Sequence, residues 1–547
     1  MSARTFLTFH RRFAGLGLLI GALFFAASLT PSLIPRGYLL QGVLGGVSFA
    51  LGYGIGAFLL WLWEYLELPI PRASVRRAGT WLAAAAAAVI VVTFVWRAAD
   101  WQNSIRELMQ MPLVDTAHPL EVMAISIAVA IVLILLGWLF AFVFRFFSRR
   151  LERLVPRRIS RVIGVVIAIA LFASIIDGLL FRSFIRLADA SFSGLDALIE
   201  PGIDQPEDPN KTGSAASLID WKELGRAGRE FVASGPSRKD LEDFLGSSAI
   251  EPIRVYVGLN SAESVEARAA LALDELIRVG AFDRSVLIVA VPTGTGWMDP
   301  AGMDTLEYLH RGDVATVAMQ YSYLTSYISL LVEPDYASAA GRALFSKVYE
   351  YWSNLPPDSR PRLYLYGLSL GALSSQQSMR LHEVIGDPIH GALWVGPPFP
   401  SAYWRSLTDE RQLDSPAWRP RFEDGAFVRF TNHGEALDLD GAEWGPMRLV
   451  YLQHASDPVV FFEPTSVYRP PAWMAMPRGP DVSPELRWYP GVTTLQLLLD
   501  MAIGLNVPMG HGHLYSYSDH IAPWIEVTEP EGWTAEELER LEAWLEP

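Results

Sequence analysis

The chain has 547 residues, 51% of them hydrophobic, and a formal net charge of −15 at pH 7, enough length for more than one domain. It contains no cysteine, which excludes disulfides, thiol catalysis and thiolate metal sites and fits an oxidising compartment. The charge is split, with 18 Arg against 9 Asp and Glu in residues 1–190 and 26 basic against 50 acidic residues beyond. A basic apolar part joined to an acidic part points to a membrane segment bearing a soluble domain, and away from a nucleic-acid binder.

Residues 1–190 read as a transmembrane helical domain. Five apolar stretches reach or approach bilayer-spanning length, at about 13–33, 38–63, 78–96, 122–144 and 162–181. Trp61, Trp63, Trp96 and Trp101 sit near their ends, where indole rings favour the headgroup layer. Arginines crowd alternate loops: Arg4, Arg11 and Arg12 before the first stretch, Arg72, Arg76 and Arg77 after the second, and seven between Arg145 and Arg161 after the fourth. That asymmetry predicts a cytoplasmic amino terminus and, after five crossings, a C-terminal domain outside the cell membrane. Reading the first stretch as a signal peptide, on Arg11-Arg12 and Ala26-Ala27-Ser28, leaves four spans and the same final side. Asp177 interrupts the fifth stretch. An acid inside a membrane is a functional suspect, and Arg182 and Arg97 are its partners in a purely structural reading.

Residues 191–251 read as a linker with juxtamembrane helices, an exposed Pro- and Asp-rich loop at 201–210 being followed by charged helical patterns at 221–233 and 238–245. From 252 to 547, strands and helices alternate. Apolar runs at 252–259, 285–291, 313–319, 362–366, 391–395, 427–431 and 447–453 predict strands, and 265–279 predicts a helix. The pattern implies an α/β domain whose mostly parallel sheet carries helices on both faces. Such sheets bind ligands beyond the carboxyl ends of their strands.

Gly367-Leu368-Ser369-Leu370-Gly371 follows one of those strands and precedes a helix-forming stretch. Strand, sharp turn and helix with serine at the apex is the arrangement that exposes a nucleophile above a sheet. A serine hydroxyl needs a base, and the base works best when a carboxylate orients it. The order expected here is Ser, then Asp or Glu, then His. Asp457 follows the strand at 449–452 and is the candidate acid; Asp438 and Asp440 precede that strand. Gly510-His511-Gly512-His513-Leu514 holds the candidate base, His513, with His511 as the alternative and His520 read as structural. The developing oxyanion needs backbone donors. Leu370, after the nucleophile, supplies one, and Thr293 or Gly294 in Pro292-Thr293-Gly294-Thr295-Gly296-Trp297 the other. No cofactor is needed. A metal on His511, His513, Asp519 and His520 is not expected, because the spacing does not match the known two-His hydrolase pattern. Tyr321, Tyr323, Trp394, Trp404, Trp473 and Trp488 are candidates to line an acyl pocket.

Taken with Ser28-Leu29-Thr30-Pro31-Ser32-Leu33-Ile34-Pro35-Arg36, Gln320-Tyr321-Ser322-Tyr323-Leu324 and Trp394-Val395-Gly396-Pro397-Pro398, these motifs resemble a bacterial family of membrane-embedded hydrolases, alpha/beta-hydrolase family 9. The resemblance implies an α/β-hydrolase fold behind a multi-helix membrane region, hence an inner-membrane protein. One departure stands out: 493–504 reads as a helix where a last strand usually precedes the histidine. The expectation is a membrane-anchored serine esterase or lipase whose partners are the bilayer and a hydrophobic acyl substrate. Acyl transfer by the same triad, or a non-catalytic transport or assembly protein, are the alternatives.

Overall fold

Glycine and alanine, more than charge, punctuate the apolar first part of the chain, and helices form there. The structure, a computed structural model, describes residues 3–69, 72–152, 155–174, 196, 202–324, 334–434, 436–439 and 441–546. Five helices open the chain: α1 (Ala3–Leu29), α2 (Tyr38–Tyr65), α3 (Ala73–Arg106), α4 (Pro119–Leu151) and α5 (Arg157–Ala173). Three of them, α2, α3 and α4, are long and apolar enough to cross a membrane. The apolar parts of the other two are shorter, Gly15–Leu29 and Ile163–Phe172. Asp177 lies outside the described residues.

Small residues set how closely these helices approach. A Cβ on Gly46 would lie 2.6 Å from the Ser126 carbonyl oxygen of α4, and one on Gly56 would lie 2.6 Å from the Gly17 Cα of α1. Backbones in such contact gain dispersion energy without needing water to drive association. Leu82, Val89, Ile131, Leu135 and Phe142 instead stand exposed, a surface suited to lipid.

The chain divides into two compact units. The first comprises Met1–Arg186, Phe462–Met474 and Pro480–Ile503; the second comprises Leu187–Phe461, Ala475–Gly479 and Gly504–Pro547. Residues 252–547 are thus shared between the two units. The segment read as a helix at 493–504 is one, Val492–Ala502, but it belongs to the helical unit. Hydrogen bonds explain its placement: Gln496 Nε2 donates to the Thr30 carbonyl at 3.0 Å, and the buried Asp500 Oδ2 accepts from the Leu33 N–H at 3.0 Å. Both serve backbone groups of the turn between α1 and α2.

In the second unit seven strands pair among the described residues: β1 (Ile253–Val257), β2 (Val286–Val291), β3 (Val314–Met319), β4 (Arg362–Leu368), β5 (Gly391–Val395), β6 (Val428–Thr431) and β7 (Arg448–Leu452). Their order is β1-β3-β2-β4-β5-β7-β6, and every pairing is parallel. All residues of β2, β3 and β5 are buried, which is why these strands read as continuous apolar runs without alternation. Helices pack in two groups, α6 (Val265–Arg278) and α9 (Leu370–Ser378) against α8 (Pro334–Ser353), and α7 (Pro300–Leu309) against α10 (Tyr517–Thr528). This is an α/β-hydrolase fold, with β4 in the middle of the sheet.

Candidate active site

Ser369 joins β4 to α9 with φ 57° and ψ −125°, a conformation that costs a non-glycine residue roughly 1–3 kcal/mol and survives only where its surroundings impose it. Here they do. The Ser369 N–H donates to the Val395 carbonyl at the end of β5, at 2.9 Å. A Cβ on Gly367 would lie 2.4 Å from the Gly371 carbonyl oxygen, and one on Gly371 would lie 2.2 Å from the Val291 carbonyl oxygen at the end of β2. Glycine at both positions is therefore a packing requirement. It also brings the start of α9 against the strand from which the 292–297 loop departs.

Asp457 follows β7 and is fully buried. Its Oδ1 accepts from the backbone N–H groups of Val459 at 2.8 Å and Val460 at 3.4 Å. Its Oδ2 meets His513 Nδ1 at 2.7 Å and accepts from the Tyr515 hydroxyl at 2.6 Å. A carboxylate only accepts, so Nδ1 carries the His513 proton and the lone pair lies on Nε2. Nε2 is buried and has no hydrogen-bond partner among the described residues. The ring sits beside the strand end that holds Ser369: His513 Cε1 is 2.8 Å from where a Cβ on Gly396 would stand, one residue beyond Val395. Serine and imidazole thus flank the carboxyl end of β5, and Gly396 leaves room for the ring.

His511, the alternative base, faces elsewhere. Its ring lies edge-on to His433 at 6.1 Å between centroids, while Asp457 is taken by His513.

Sequence reasoning missed a second network behind this one. His454 Nδ1 meets the Gly512 carbonyl at 3.0 Å and its Nε2 meets Asp519 Oδ2 at 3.1 Å. Both ring nitrogens of His454 are thus engaged, one by the Gly512 carbonyl and one by Asp519. Asp519 Oδ1 is held by His433 Nδ1 at 2.7 Å. Burial by itself would raise the Asp519 carboxyl, but the neighbouring His454 and His433 outweigh it and hold the group well below the usual carboxylate range. The Gly512 N–H donates to Ser456 Oγ at 2.9 Å, so both sides of the residue preceding His513 are fixed. The His454 ring stacks on Tyr515 at 4.3 Å. Burial, with Asp457 alongside, pushes the Tyr515 hydroxyl well above its ordinary range, so it keeps its proton and donates. The sequence signal was present as Gln453-His454-Ala455-Ser456-Asp457, a polar run directly after an apolar strand.

Two expectations need correction. The Thr293 N–H donates to the Trp297 carbonyl at 3.0 Å, inside its own turn, and an amide so occupied is not an open donor. Trp394 and Trp404 are core residues whose indole N–H groups donate to Ser375 Oγ at 3.0 Å and Gln453 Oε1 at 2.7 Å, while Trp473 and Trp488 fall in the helical unit. Leu370 opens α9, and the first N–H of a helix has no partner within it. The four residues weighed for a metal do not assemble: His513 turns to Asp457, and His520 Nδ1 meets the Ser516 carbonyl at 2.8 Å. His433, His454 and Asp519 bring three ligand-type atoms within 4.8 Å of one another, with Asp519 already at hydrogen-bonding distance from both rings.

A nucleophile-elbow serine, an oriented imidazole and a buried carboxylate, on loops in the order Ser, Asp, His, are the parts of acyl-transfer chemistry. The model of an alpha/beta-hydrolase family matches residues 253–541, and the model of that family's N-terminal region matches residues 29–236. No curated protein and no solved structure matches the chain. By fold, by elbow and by these two matches, which together span nearly its whole length, the chain belongs to alpha/beta-hydrolase family 9.

Proposed function

We propose that the protein is a membrane-anchored serine hydrolase that cleaves an ester of a lipid or another hydrophobic acyl compound through an acyl-serine intermediate. One observation carries the reading: a buried histidine bonded to a buried aspartate keeps Nε2 unpartnered beside the strand end to which Ser369 is tied. In this reading Nε2 takes the Ser369 hydroxyl proton as Oγ attacks the ester carbonyl carbon. The oxyanion forms against the N–H group of Leu370 and one from the 292–297 loop, donors commonly worth about 3–4 kcal/mol each in the transition state. His513 returns the proton to the leaving alcohol oxygen as the ester bond breaks, leaving the acyl group on Ser369. Water then attacks that acyl carbon, His513 again takes and returns a proton, and the acid departs. Asp457 offsets the charge on the imidazolium, and the Tyr515 hydroxyl keeps the carboxylate oriented.

The hydrophobic substrate follows from the setting, a hydrolase domain on a chain with three helices apolar enough to cross a membrane. The arginine asymmetry supports an outer-side location for that domain. Turnover of p-nitrophenyl esters of increasing acyl length by the purified full chain in detergent tests the activity. Rising kcat/KM with chain length, absent in Ser369→Ala, supports the reading; equal rates for wild type and variant overturn it. A cytoplasm-only reporter fused to the C-terminus tests the side: its activity would reject the outer placement.

A further inference from the structure

The turn between α1 and α2 buries a cation in the helical unit. Arg36 is 4% exposed. Its Nη2 donates to the carbonyls of Thr30 at 3.0 Å and Ser28 at 3.5 Å, and its backbone N–H donates to Gln102 Oε1 at 2.7 Å. Its Nε and Nη1 have no partner among the described residues. Leaving buried donors of a charged group unused costs stability, so a buried guanidinium with three idle N–H groups, one on Nε and two on Nη1, points to something that comes to them.

A cavity of about 170 Å³ lies there. Arg36 lines it, with Gln41, Ala98, Gln102, Arg106 and His118. The first residues of α2 and α4 also border it, and neither helix is capped by a side chain. The start of α2 therefore brings first-turn N–H groups and a positive dipole end to the space that holds Arg36. Helix α4 adds the positive end of its dipole alone, since Pro119 has no N–H and those of His118 and Val122 donate to Thr116 Oγ1 and the His118 carbonyl. The opposing charges are few. Glu121 lies 3.8 Å from His118 Nδ1, and Asp500, whose charge acts on Arg36, spends Oδ2 on the Leu33 N–H.

We propose that this cavity is a binding site for a phosphate-bearing anion, with Arg36 Nε and Nη1 and the start of α2 as its donors. The chemistry is that of a charge-assisted contact between guanidinium and phosphate oxygens. Two sources present it: the headgroup of an anionic phospholipid, since α2 and α4 are membrane-length helices, or free phosphate. The apolar wall at Ala98, Val95 and Val122 suits the first.

The test uses the full chain in detergent, with three probes: inorganic phosphate, micelles containing phosphatidylglycerol, and micelles containing phosphatidylcholine. Two variants accompany it. Arg36→Gln removes the donors; Ala98→Met fills the cavity without touching a charge or a hydrogen bond, and carries the test if Arg36→Gln does not fold. Phosphatidylglycerol raising the wild-type melting temperature by about 5 °C, with the rise lost in the variants, supports the site with lipid as its source. The same pattern with inorganic phosphate supports it with free phosphate as the source. No rise with either anion, an equal rise with phosphatidylcholine, or a rise that Ala98→Met retains would overturn the proposal.

Discussion

Two aspartate–histidine pairs touch Tyr515, one through its hydroxyl and one through its stacked ring, and they end differently. In Asp457–His513 the imidazole spends one nitrogen on the carboxylate and keeps the other unpartnered. In Asp519–His454 both nitrogens are spent, one on the carboxylate and one on the Gly512 carbonyl. The residue types are the same; the use of the second ring nitrogen differs. An imidazole with a lone pair left can move protons, whereas one with both nitrogens engaged can only hold position. Here it holds the loop that presents the first.

The sharpest way to break this comparison is to remove groups from the first pair and its serine. Ser369→Ala and His513→Ala should each lower kcat by at least about 10⁴-fold while the fold persists; esterase assays with circular dichroism on the same samples check both halves. Asp457→Asn keeps the shape of the side chain but gives Nδ1 an ambiguous partner, so a loss on the order of 10³- to 10⁴-fold is expected.

A third buried aspartate sharpens the contrast, because it has no imidazole. Burial pushes the Asp500 carboxyl up to about 6, against the opposing pull of Arg36. A raised carboxyl binds more protons folded than unfolded between about pH 4 and 6, so the stability of the helical unit should fall as pH rises across that window. The drop is on the order of 3 kcal/mol, and Asp500→Asn should flatten it in melts recorded from pH 4 to 7. Asp519 has the opposite sign. Its lowered carboxyl contributes stability above about pH 4 that is lost as pH falls. The smallest effect belongs to His454→Phe, which leaves the Gly512 carbonyl and Asp519 short of a donor and should cost about 2 kcal/mol. Its activity should fall far less than that of His513→Ala; equal losses would mean that the second imidazole also takes part in chemistry.

All seven strands were legible in the sequence because strands buried on both faces betray themselves as unbroken apolar runs, as Val286–Val291 does. The order β1-β3-β2-β4-β5-β7-β6 was not, since similar apolar strands carry no mark of their neighbours. Ser369 was legible because close packing leaves room only for glycine at 367 and 371. The choice of His513 over His511 was open on spacing alone; one points to Asp457 and the other to His433, a difference of backbone direction within three residues. His454 and Tyr515 escaped notice, and Asp519 was weighed only as a metal ligand, because their bonds join loops far apart in the chain. The departure of residues 462–474 and 480–503 into the helical unit was visible only as a helix in an odd place. Its cause, polar side chains that serve the turn after α1, is a tertiary fact.

In the proposed reaction Ser369 is a nucleophile activated through His513. Peptide mapping after treatment of the folded full chain with a fluorophosphonate addresses this directly. The expected result is a single adduct on Ser369, formed fast in wild type and lost in His513→Ala. A folded wild type that forms no adduct, or one whose Ser369 reacts equally fast without the imidazole, would contradict it.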